Sequence, residues 1–477
     1  MRALTCWLLL AASLSAQEAQ VRLELGLRMR AFEQAWEETS STAALKRSVM
    51  LVEGAASAYL QGNYGAVARQ LEDAWFELRS AAAPTAAERY LAALTLRPAA
   101  MLADAARERL VVRVDAMHDV PPPESAEDWV LELALGKAGE TRRVRLRLDG
   151  MLPAELELPL RGLPPGDHEL ALELRQGGVL RLRRARVVSL AARVDERLDA
   201  LEEASAALQE DRGATSAVLT LARETALLRG LREGEPYETP VLANARLAAA
   251  ERLAERLVAG DGGLALGPGD HALVLATASG PAPIRLSLPL VAVAVAGDGA
   301  ARPVLFALHG AGGSENMFFE GYGAGKLVDL CAERGWILVA TRARNFAAPP
   351  DVPAILQALA PICAVDSGRV YLLGHSLGAA HALALVSARP ELYAGVAAIA
   401  GGANFRPDPQ LAKTAFFVAT GEFDFARRGA LALYRSLQEG GFARVRLRDL
   451  EGLGHMLVVP ELLAEALDWI GGPPPAR

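Results

Sequence analysis

The chain has 477 residues, of which 52% are hydrophobic and 22% are charged, with a formal net charge of −7. This composition is typical of folded globular protein and excludes a disordered chain, and the length allows about two to four domains. An acidic balance without a basic helix gives no electrostatic basis for binding nucleic acid or an anionic membrane surface.

Residues 1–16 have the pattern of a secretory signal peptide. Arg2 precedes a short apolar run from Leu4 to Leu14, and small residues end the segment before polar Gln17. We therefore expect cleavage after Ala16 and a secreted or periplasmic protein; the alternative is a buried N-terminal helix. Later segments fall short of the roughly 18 uncharged apolar residues that a membrane span needs, so we expect none.

The next three segments differ in their periodicity. Residues 17–110 carry apolar residues at helical spacing, which predicts an α-helical region. Residues 111–190 alternate apolar and polar side chains, as in 169–174, and predict antiparallel strands in a small β-sandwich. Residues 191–262 return to helical spacing and are expected to form a helical connector.

Residues 263–470 are expected to form an α/β domain built on a mostly parallel, doubly wound sheet, because apolar strands alternate with helical segments from Pro303 on. The predicted strands are 303–308, 336–341, 370–375, 395–400, 415–420 and 444–449. Apolar strands within 270–296 either open this sheet as antiparallel strands, which we favour, or belong to a preceding β module. The Pro-rich segment 471–477 is predicted to be a disordered tail.

The sharpest motif surrounds Ser376. Four apolar residues, 370–373, run into Gly374-His375-Ser376-Leu377-Gly378, and an Ala-rich helical segment follows. This strand–turn–helix context is the one that a G-x-S-x-G nucleophile elbow requires. Taken alone, the motif could also be a glycine-rich turn between a strand and a helix.

Three further segments appear in a fixed order around this motif. A strand ends in the glycine-rich loop 309–313 upstream, and downstream one strand leads to Asp424 and the last to His455. With this order the chain resembles the α/β-hydrolase superfamily. Within it, the sequence is similar to compact secreted serine esterases related to polyhydroxybutyrate depolymerases and feruloyl or acetyl-xylan esterases. The resemblance covers roughly residues 300–470, about a third of the chain.

The resemblance implies a role for each member of a catalytic triad. Ser376 would be the nucleophile, His455 the general base and Asp424 the acid that orients the imidazole. Two other acids, Glu422 and Asp449, lie close enough in sequence to remain alternatives to Asp424. The other histidine that follows the elbow, residue 381, is predicted to be a packed or solvated helix residue.

The oxyanion hole is expected to use backbone N–H groups. One would come from Leu377, the residue after the nucleophile, and the second from Ala311, with Gly312 as the alternative. His309 and His375 are predicted to be structural. The sequence has no cysteine and histidine cluster at metal-ligand spacing, and we expect neither a metal nor another cofactor.

The substrate pocket is less well defined by the sequence. Phe318, Phe319 and Phe405 are candidates to line it, with the hydrophobic core as the equal alternative. In the doubly wound sheet that the resemblance implies, Cys331 and Cys363 fall on opposite faces, so we expect two free buried thiols and no disulfide.

The resemblance implies a secreted serine hydrolase that cleaves carboxylic esters through an acyl-enzyme intermediate. The expected partner is an ester, either small or attached to a polymer such as a polysaccharide or a polyester. Two alternatives remain: a serine peptidase of the prolyl-oligopeptidase kind, and a non-catalytic binding protein with a vestigial hydrolase domain. The sequence predicts no oligomeric state.

Overall fold

A computed structural model describes residues 16–79, 82–123, 129–137, 140–146, 152–290, 301–342, 348–402, 405–406 and 408–472. The predicted signal peptide apart from its last residue, and residues 473–477 of the predicted tail, lie outside these ranges. The described chain forms two compact units. The first comprises residues 16–39, 57–211 and 221–259, and the second comprises residues 40–56, 212–220 and 260–472.

The elements up to residue 258 are helices at both ends and strands between them. The first four helices are α1 (Ala16–Glu38), α2 (Thr42–Leu60), α3 (Tyr64–Arg79) and α4 (Ala86–Ala93). The strands are β1 (Leu94–Pro98), β2 (Leu102–Asp104), β3 (Arg109–Ala116), β4 (Trp129–Lys137), β5 (Glu140–Leu146), β6 (Ala154–Pro159), β7 (Gly166–Gln176) and β8 (Val179–Ala191). Helices α5 (Val194–Arg212), α6 (Ser216–Arg232) and α7 (Ala243–Val258) follow.

The strands of the first unit form two sheets around one core. One sheet has the order β1-β3-β6 and the other β2-β8-β7-β4-β5, and buried leucines and valines of both sheets belong to a single hydrophobic cluster. The strands begin at Leu94, so the predicted helical region 17–110 is wrong beyond Ala93. Residues 94–98 pair antiparallel with β3 and are buried except at Arg97, and this tertiary pairing overrides the local helical spacing.

The second unit carries an eight-stranded sheet. Its strands are β9 (Gly269–Thr277), β10 (Gly280–Leu288), β11 (Arg302–Leu308), β12 (Ile337–Thr341), β13 (Val365–His375), β14 (Gly395–Ile399), β15 (Ala415–Gly421) and β16 (Val445–Leu450). The helices are α8 (Met317–Glu320), α9 (Lys326–Glu333), α10 (Val352–Leu359), α11 (Leu377–Ala388), α12 (Arg427–Glu439) and α13 (Val458–Gly471), with a 3₁₀ turn at Pro409–Lys413.

The strand order is β16-β15-β14-β13-β11-β12-β10-β9. The six strands from β11 to β16 pair in parallel, while β10 pairs antiparallel with both β12 and β9. The two strands before residue 290 therefore belong to this sheet. Because parallel strands point the same way, the loops that follow β11, β13, β15 and β16 lie at one edge of the sheet.

Both faces of the sheet are covered, which explains why its strands read as continuous apolar runs. Along β11, Val304 and Phe306 pack into the cluster formed with helices α10, α11 and α12. Leu305 and Ala307, which alternate with them, pack into the cluster formed with α8, α9 and α13. The sheet is thus a rigid support for the loops at its edge.

The second unit also includes a short segment from the middle of the chain, residues 212–220. The Thr220 hydroxyl oxygen accepts a hydrogen bond of 3.0 Å from the main-chain N–H of Val274, and Ser216 accepts one of 2.9 Å from Ala276. These bonds attach the first turn of α6 to the edge strand β9. The compact unit is therefore larger than the predicted hydrolase segment, 263–470.

Cys331 and Cys363 are free, buried thiols. Cys331 lies in the cluster that contains α9, and Cys363 lies in the cluster on the other face of the sheet. Burial raises the pKa of the Cys363 thiol to about 11 and raises that of Cys331 further, so both stay protonated at neutral pH.

We predict that Leu372→Ala destabilises the second unit strongly. Leu372 is fully buried in the central strand β13, and its truncation would remove apolar contacts and leave a cavity costing about 2–5 kcal/mol. The matched control is Leu290→Ala, since the Leu290 side chain is 85% exposed. Urea unfolding should show a lower midpoint for Leu372→Ala alone; equal midpoints for the two variants would contradict the placement of this core.

Candidate active site

Ser376 lies at a strained turn between β13 and α11. Its backbone angles are φ 55° and ψ −115°, a region that residues with a side chain rarely adopt. The residue is half-buried, whereas its neighbour His375 is buried. The turn therefore presents the serine at the edge of the sheet where the loops after the parallel strands meet.

Two glycines allow this turn to close. A β-carbon on Gly374 would overlap the carbonyl group of Gly378, and one on Gly378 would overlap the carbonyl oxygen of Leu308 at the end of β11. Strand, helix and neighbouring strand thus approach so closely that only glycine fits at both positions.

Asp424 follows β15 and contacts the ring of His455. Its Oδ1 atom lies 2.7 Å from His455 Nδ1 and also accepts a bond of 2.8 Å from the N–H of Ala426, while Oδ2 accepts a bond from the hydroxyl of Thr420. Burial alone would raise the pKa of Asp424, but these hydrogen bonds and the His455 ring outweigh it and lower that pKa. The Asp424 carboxylate therefore stays charged at neutral pH.

The other acids predicted as alternatives are engaged elsewhere. Glu422 accepts a hydrogen bond of 2.9 Å from the N–H of Gly452, which braces the loop before His455. Asp449 forms an ion pair with Arg427 on the protein surface. The acid that reaches the His455 ring in this structure is thus Asp424.

His455 is buried, and its ring contacts two other rings, those of Phe425 and His375. The ring of Phe425 stacks on it with centroids 4.0 Å apart, and the His375 ring lies with its centroid at 4.7 Å. His375 Nε2 lies 3.1 Å from the carbonyl oxygen of His455. Because His375 adjoins Ser376 in the chain, these contacts place His455 beside the elbow.

The tautomer of His375 follows from its two partners. A carbonyl oxygen only accepts, so Nε2 must carry the proton that it donates to His455, and Nδ1 then accepts from the Tyr322 hydroxyl at 2.6 Å. Burial and the nearby His455 lower the pKa of His375 well below its usual value, which keeps this ring neutral. His375 was predicted to be structural, and its contacts show that it orients the main chain of His455.

The hydroxyl of Ser376 forms no hydrogen bond with the ring of His455 within the described part of the chain. The structure therefore brings together Asp424 and His455, and places Ser376 next to them through His375. In unliganded active sites such nucleophile–base contacts are often long and shorten only when substrate binds.

The glycine-rich loop after β11 packs against the elbow. A β-carbon on Gly310 would lie 3.3 Å from Cβ of Ser376 and closer still to the His375 ring. Leu377 opens helix α11, so its N–H is one of those that a helix leaves without an internal acceptor. Among the described residues, the N–H groups of Ala311 and Leu377 have no main-chain acceptor, which leaves both able to bind an anion.

The three phenylalanines predicted as pocket candidates do not form a pocket together. Phe318 and Phe319 are buried in the cluster with α9 and α13, whereas Phe405 packs on Phe416 in the cluster on the opposite face. The expectation of an aromatic pocket from these residues is therefore wrong, and the core alternative holds. The burial of each ring distinguishes core from pocket, and the short sequence segments around the three phenylalanines do not show it.

Sequence reasoning missed Phe425, Tyr322 and Thr420. Phe425 is 52% exposed and stacks on the His455 ring, so it would border any ligand that reaches the imidazole. Its position directly after Asp424 was a usable signal. Tyr322 and Thr420 each reach the site through a hydrogen bond that depends on the fold, and no local pattern marks them.

The described residues include no cluster of three or more His, Cys, Asp or Glu side chains placed to hold a metal ion. None of the described helices has the length and apolarity to cross a membrane.

We predict that Gly378→Ala disrupts the elbow. The added methyl group would meet the carbonyl oxygens of Leu308 and His309, so β11 and α11 would have to separate. The matched control is Gly267→Ala, because the space around Gly267 is open. Thermal unfolding should show a lower melting temperature for Gly378→Ala than for the control, and a melting temperature equal to the control would contradict the close approach of these elements.

Comparison with known proteins gives a family for the C-terminal region. Residues 304–476 match the model of the alpha/beta hydrolase family. No curated protein matches the chain.

Several solved structures are similar to parts of this chain. A ferulic acid esterase is 16% identical, with a TM-score of 0.36 over 43% of this chain and 98% of its own. The fluorophosphonate-binding serine hydrolase FphF of Staphylococcus aureus is 13% identical, with a TM-score of 0.37 over 43% of this chain and 100% of its own. A thermostable esterase is 13% identical, with a TM-score of 0.38 over 80% of this chain and 98% of its own. At TM-scores below 0.5, such likenesses do not establish a shared substrate. The family match confirms the predicted resemblance of the C-terminal region, residues 304–476, to the alpha/beta hydrolase family.

Proposed function

We propose that the protein is a serine hydrolase that cleaves carboxylic esters through an acyl-enzyme intermediate. The observation that carries the proposal is the buried Asp424–His455 pair, held at 2.7 Å beside an elbow serine with φ 55°. A carboxylate, an imidazole and a half-buried hydroxyl in this arrangement supply the three groups that nucleophilic catalysis by serine requires.

The first step would acylate Ser376. The Ser376 oxygen attacks the ester carbonyl carbon, and His455 Nε2 takes the hydroxyl proton as the new carbon–oxygen bond forms. Asp424 holds Nδ1–H of His455, so it fixes the tautomer that leaves Nε2 free to accept a proton. The same carboxylate stabilises the imidazolium that results.

The carbonyl oxygen becomes negatively charged in the tetrahedral intermediate. The N–H groups of Ala311 and Leu377 are the proposed donors to this oxyanion, supported by the position of their loops on either side of Ser376. Donors that are already oriented in a buried site stabilise such a charge without further reorganisation.

Collapse of the intermediate releases the alcohol and leaves the acyl group on Ser376. The imidazolium of His455 gives its proton to the departing oxygen, so the base is restored. A water molecule then attacks the acyl-enzyme with His455 again as base, and the products are a carboxylic acid and free Ser376. Half-exposed Phe425 on the His455 ring is the aromatic surface that we propose an incoming ester contacts.

We predict that Ser376→Ala lowers kcat for nitrophenyl ester hydrolysis by about four to six orders of magnitude and abolishes labelling by a fluorophosphonate. The half-buried hydroxyl contributes chemistry and little packing, so the melting temperature should stay close to that of the wild type. Because triad members act as a unit, the Ser376→Ala/His455→Ala double variant should be scarcely slower than either single variant. Turnover at the wild-type rate in Ser376→Ala would refute the covalent mechanism.

We predict that Asp424→Asn lowers kcat steeply, by roughly 10⁴-fold, since an amide would favour the wrong tautomer of His455. The matched control is Asp449→Asn, which breaks only an exposed ion pair with Arg427. The two variants should be compared on the same ester at one pH. A fall in kcat of equal size in both would show that Asp424 has no special role.

A further inference from the structure

An N-terminal glutamate reaches the loop of the proposed base. Glu53 belongs to α2, and its segment, residues 40–56, is part of the compact unit that carries the eight-stranded sheet. The Oε1 atom of Glu53 accepts a hydrogen bond from the main-chain N–H of His455, 402 positions along the chain. The carboxylate is therefore in contact with the proposed active-site loop although its sequence lies far outside the hydrolase region.

The loop is shaped to admit this carboxylate. A β-carbon on Gly454, the residue before His455, would overlap the carboxyl group of Glu53. The φ of Gly454 is not in the left-handed region, so the backbone itself does not require glycine here. Glycine is needed at position 454 because Glu53 occupies the space that a β-carbon would fill.

Glu53 completes a set of contacts that fixes His455 on every side. The main-chain N–H of His455 is bound by Glu53, and its carbonyl oxygen by Nε2 of His375 at 3.1 Å. Its ring is bound at Nδ1 by Asp424 and stacked by Phe425. Without Glu53, the main chain of the base would be held at its carbonyl side only.

The carboxylate lies in surroundings that oppose its charge. Glu53 is 9% exposed, and the ion pairs among the described residues include none to it. Burial and the negative charge of Asp424 raise the pKa of Glu53 to about 7, although the hydrogen bond from His455 acts in the opposite direction. A residue that served stability alone would gain nothing from placing an unpaired carboxylate beside a second one.

We propose that Glu53 is a positioning residue for His455, supplied to the α/β-hydrolase domain by the N-terminal helix α2. The proposal rests on the proposed function, because it assigns Glu53 a part in holding the base of that same site. It follows that the chemistry needs residues 40–56 as well as the C-terminal region, and that the two cannot be separated without loss of the base's position.

The test uses three full-length variants: Glu53→Ala, Glu53→Gln and the control Glu439→Gln, whose side chain is exposed on α12. Glu53→Ala should lower kcat on a nitrophenyl ester by roughly 10- to 100-fold, the effect of losing one charge-assisted hydrogen bond, with KM changed far less. Glu53→Gln should recover most of this loss, because the amide oxygen can accept the same bond from His455 N–H. The control should match the wild type.

Rescue by the conservative variant separates positioning from mere packing. A neutral side chain of the same shape still offers an oxygen to the His455 N–H, whereas alanine offers none. A loss of kcat of equal size in Glu53→Gln and Glu53→Ala would overturn the proposal.

The pH dependence of the melting temperature gives a second test, and the raised pKa of Glu53 predicts its direction. The pKa of Glu53 is higher in the folded protein than its ordinary value of 4.5, so ionisation disfavours the folded state, and this penalty grows between about pH 4.5 and pH 7. The melting temperature of Glu53→Gln should therefore rise relative to the wild type from pH 5 to pH 8. A Glu53→Gln variant that is less stable at pH 8 and as slow as Glu53→Ala would show that the residue is only structural.

Failure of this proposal can be told apart from failure of the proposed function. If the wild type reacts with a fluorophosphonate at Ser376 and Glu53→Ala reacts at the same rate, the positioning role is refuted while the serine mechanism stands. If the wild type does not react at Ser376, the proposed function itself is refuted.

Discussion

The proposed chemistry depends on the position of one imidazole, that of His455, and contacts from separate parts of the chain determine this position. Asp424 binds Nδ1 of His455, Phe425 stacks on its ring and His375 binds its carbonyl oxygen. The main-chain N–H is bound by Glu53. A loop that follows an edge strand is among the least restrained parts of a sheet protein, and a general base must lie within hydrogen-bond reach of the proton it takes. The contacts around His455 therefore hold a loop residue in the fixed position that a general base would need.

The second constraint is the strained backbone of Ser376. A left-handed residue with a side chain costs of order 1–3 kcal/mol, and it persists only when the surrounding structure determines it. Here the close approach of Gly374 and Gly378 leaves the chain no alternative path, and residues 370–375 of the central strand β13 are all buried. The two hydrophobic clusters of the sheet are thus the source of the rigidity on which the elbow depends.

The C-terminal part of the fold could be predicted from sequence because the patterns that indicate it are local. Continuous apolar strands, helical spacing between them and the G-x-S-x-G turn are short-range patterns, and the predicted strand at 370–375 forms the end of β13 as observed. The pairing of β1 with β3 could not be seen in the same way, because residues 94–98 are a short segment next to a helix and become a strand only by tertiary pairing. The same holds for residues 212–220, which join the second unit through hydrogen bonds to β9.

The motif residues of the site could be predicted from the sequence, whereas the residues that hold them in place could not. Ser376, Asp424 and His455 each follow a strand at a characteristic place, whereas Phe318, Phe319 and Phe405 carried no signal that separates core from pocket. Glu53 shows the limit most clearly, since a contact across 402 positions leaves no trace in any local pattern. Its raised pKa and its demand for glycine at position 454 become visible only when the fold brings the two segments together.

The proposed mechanism requires Ser376 to carry the acyl group of an ester after attack assisted by His455. This can be measured by rapid acid quench of the full-length protein with a nitrophenyl ester, followed by peptide mass spectrometry. We expect an acyl adduct on the peptide that contains Ser376, formed in the wild type and lost in both Ser376→Ala and His455→Ala. Turnover of the ester without an adduct on that peptide, or with an adduct on another residue, would contradict it.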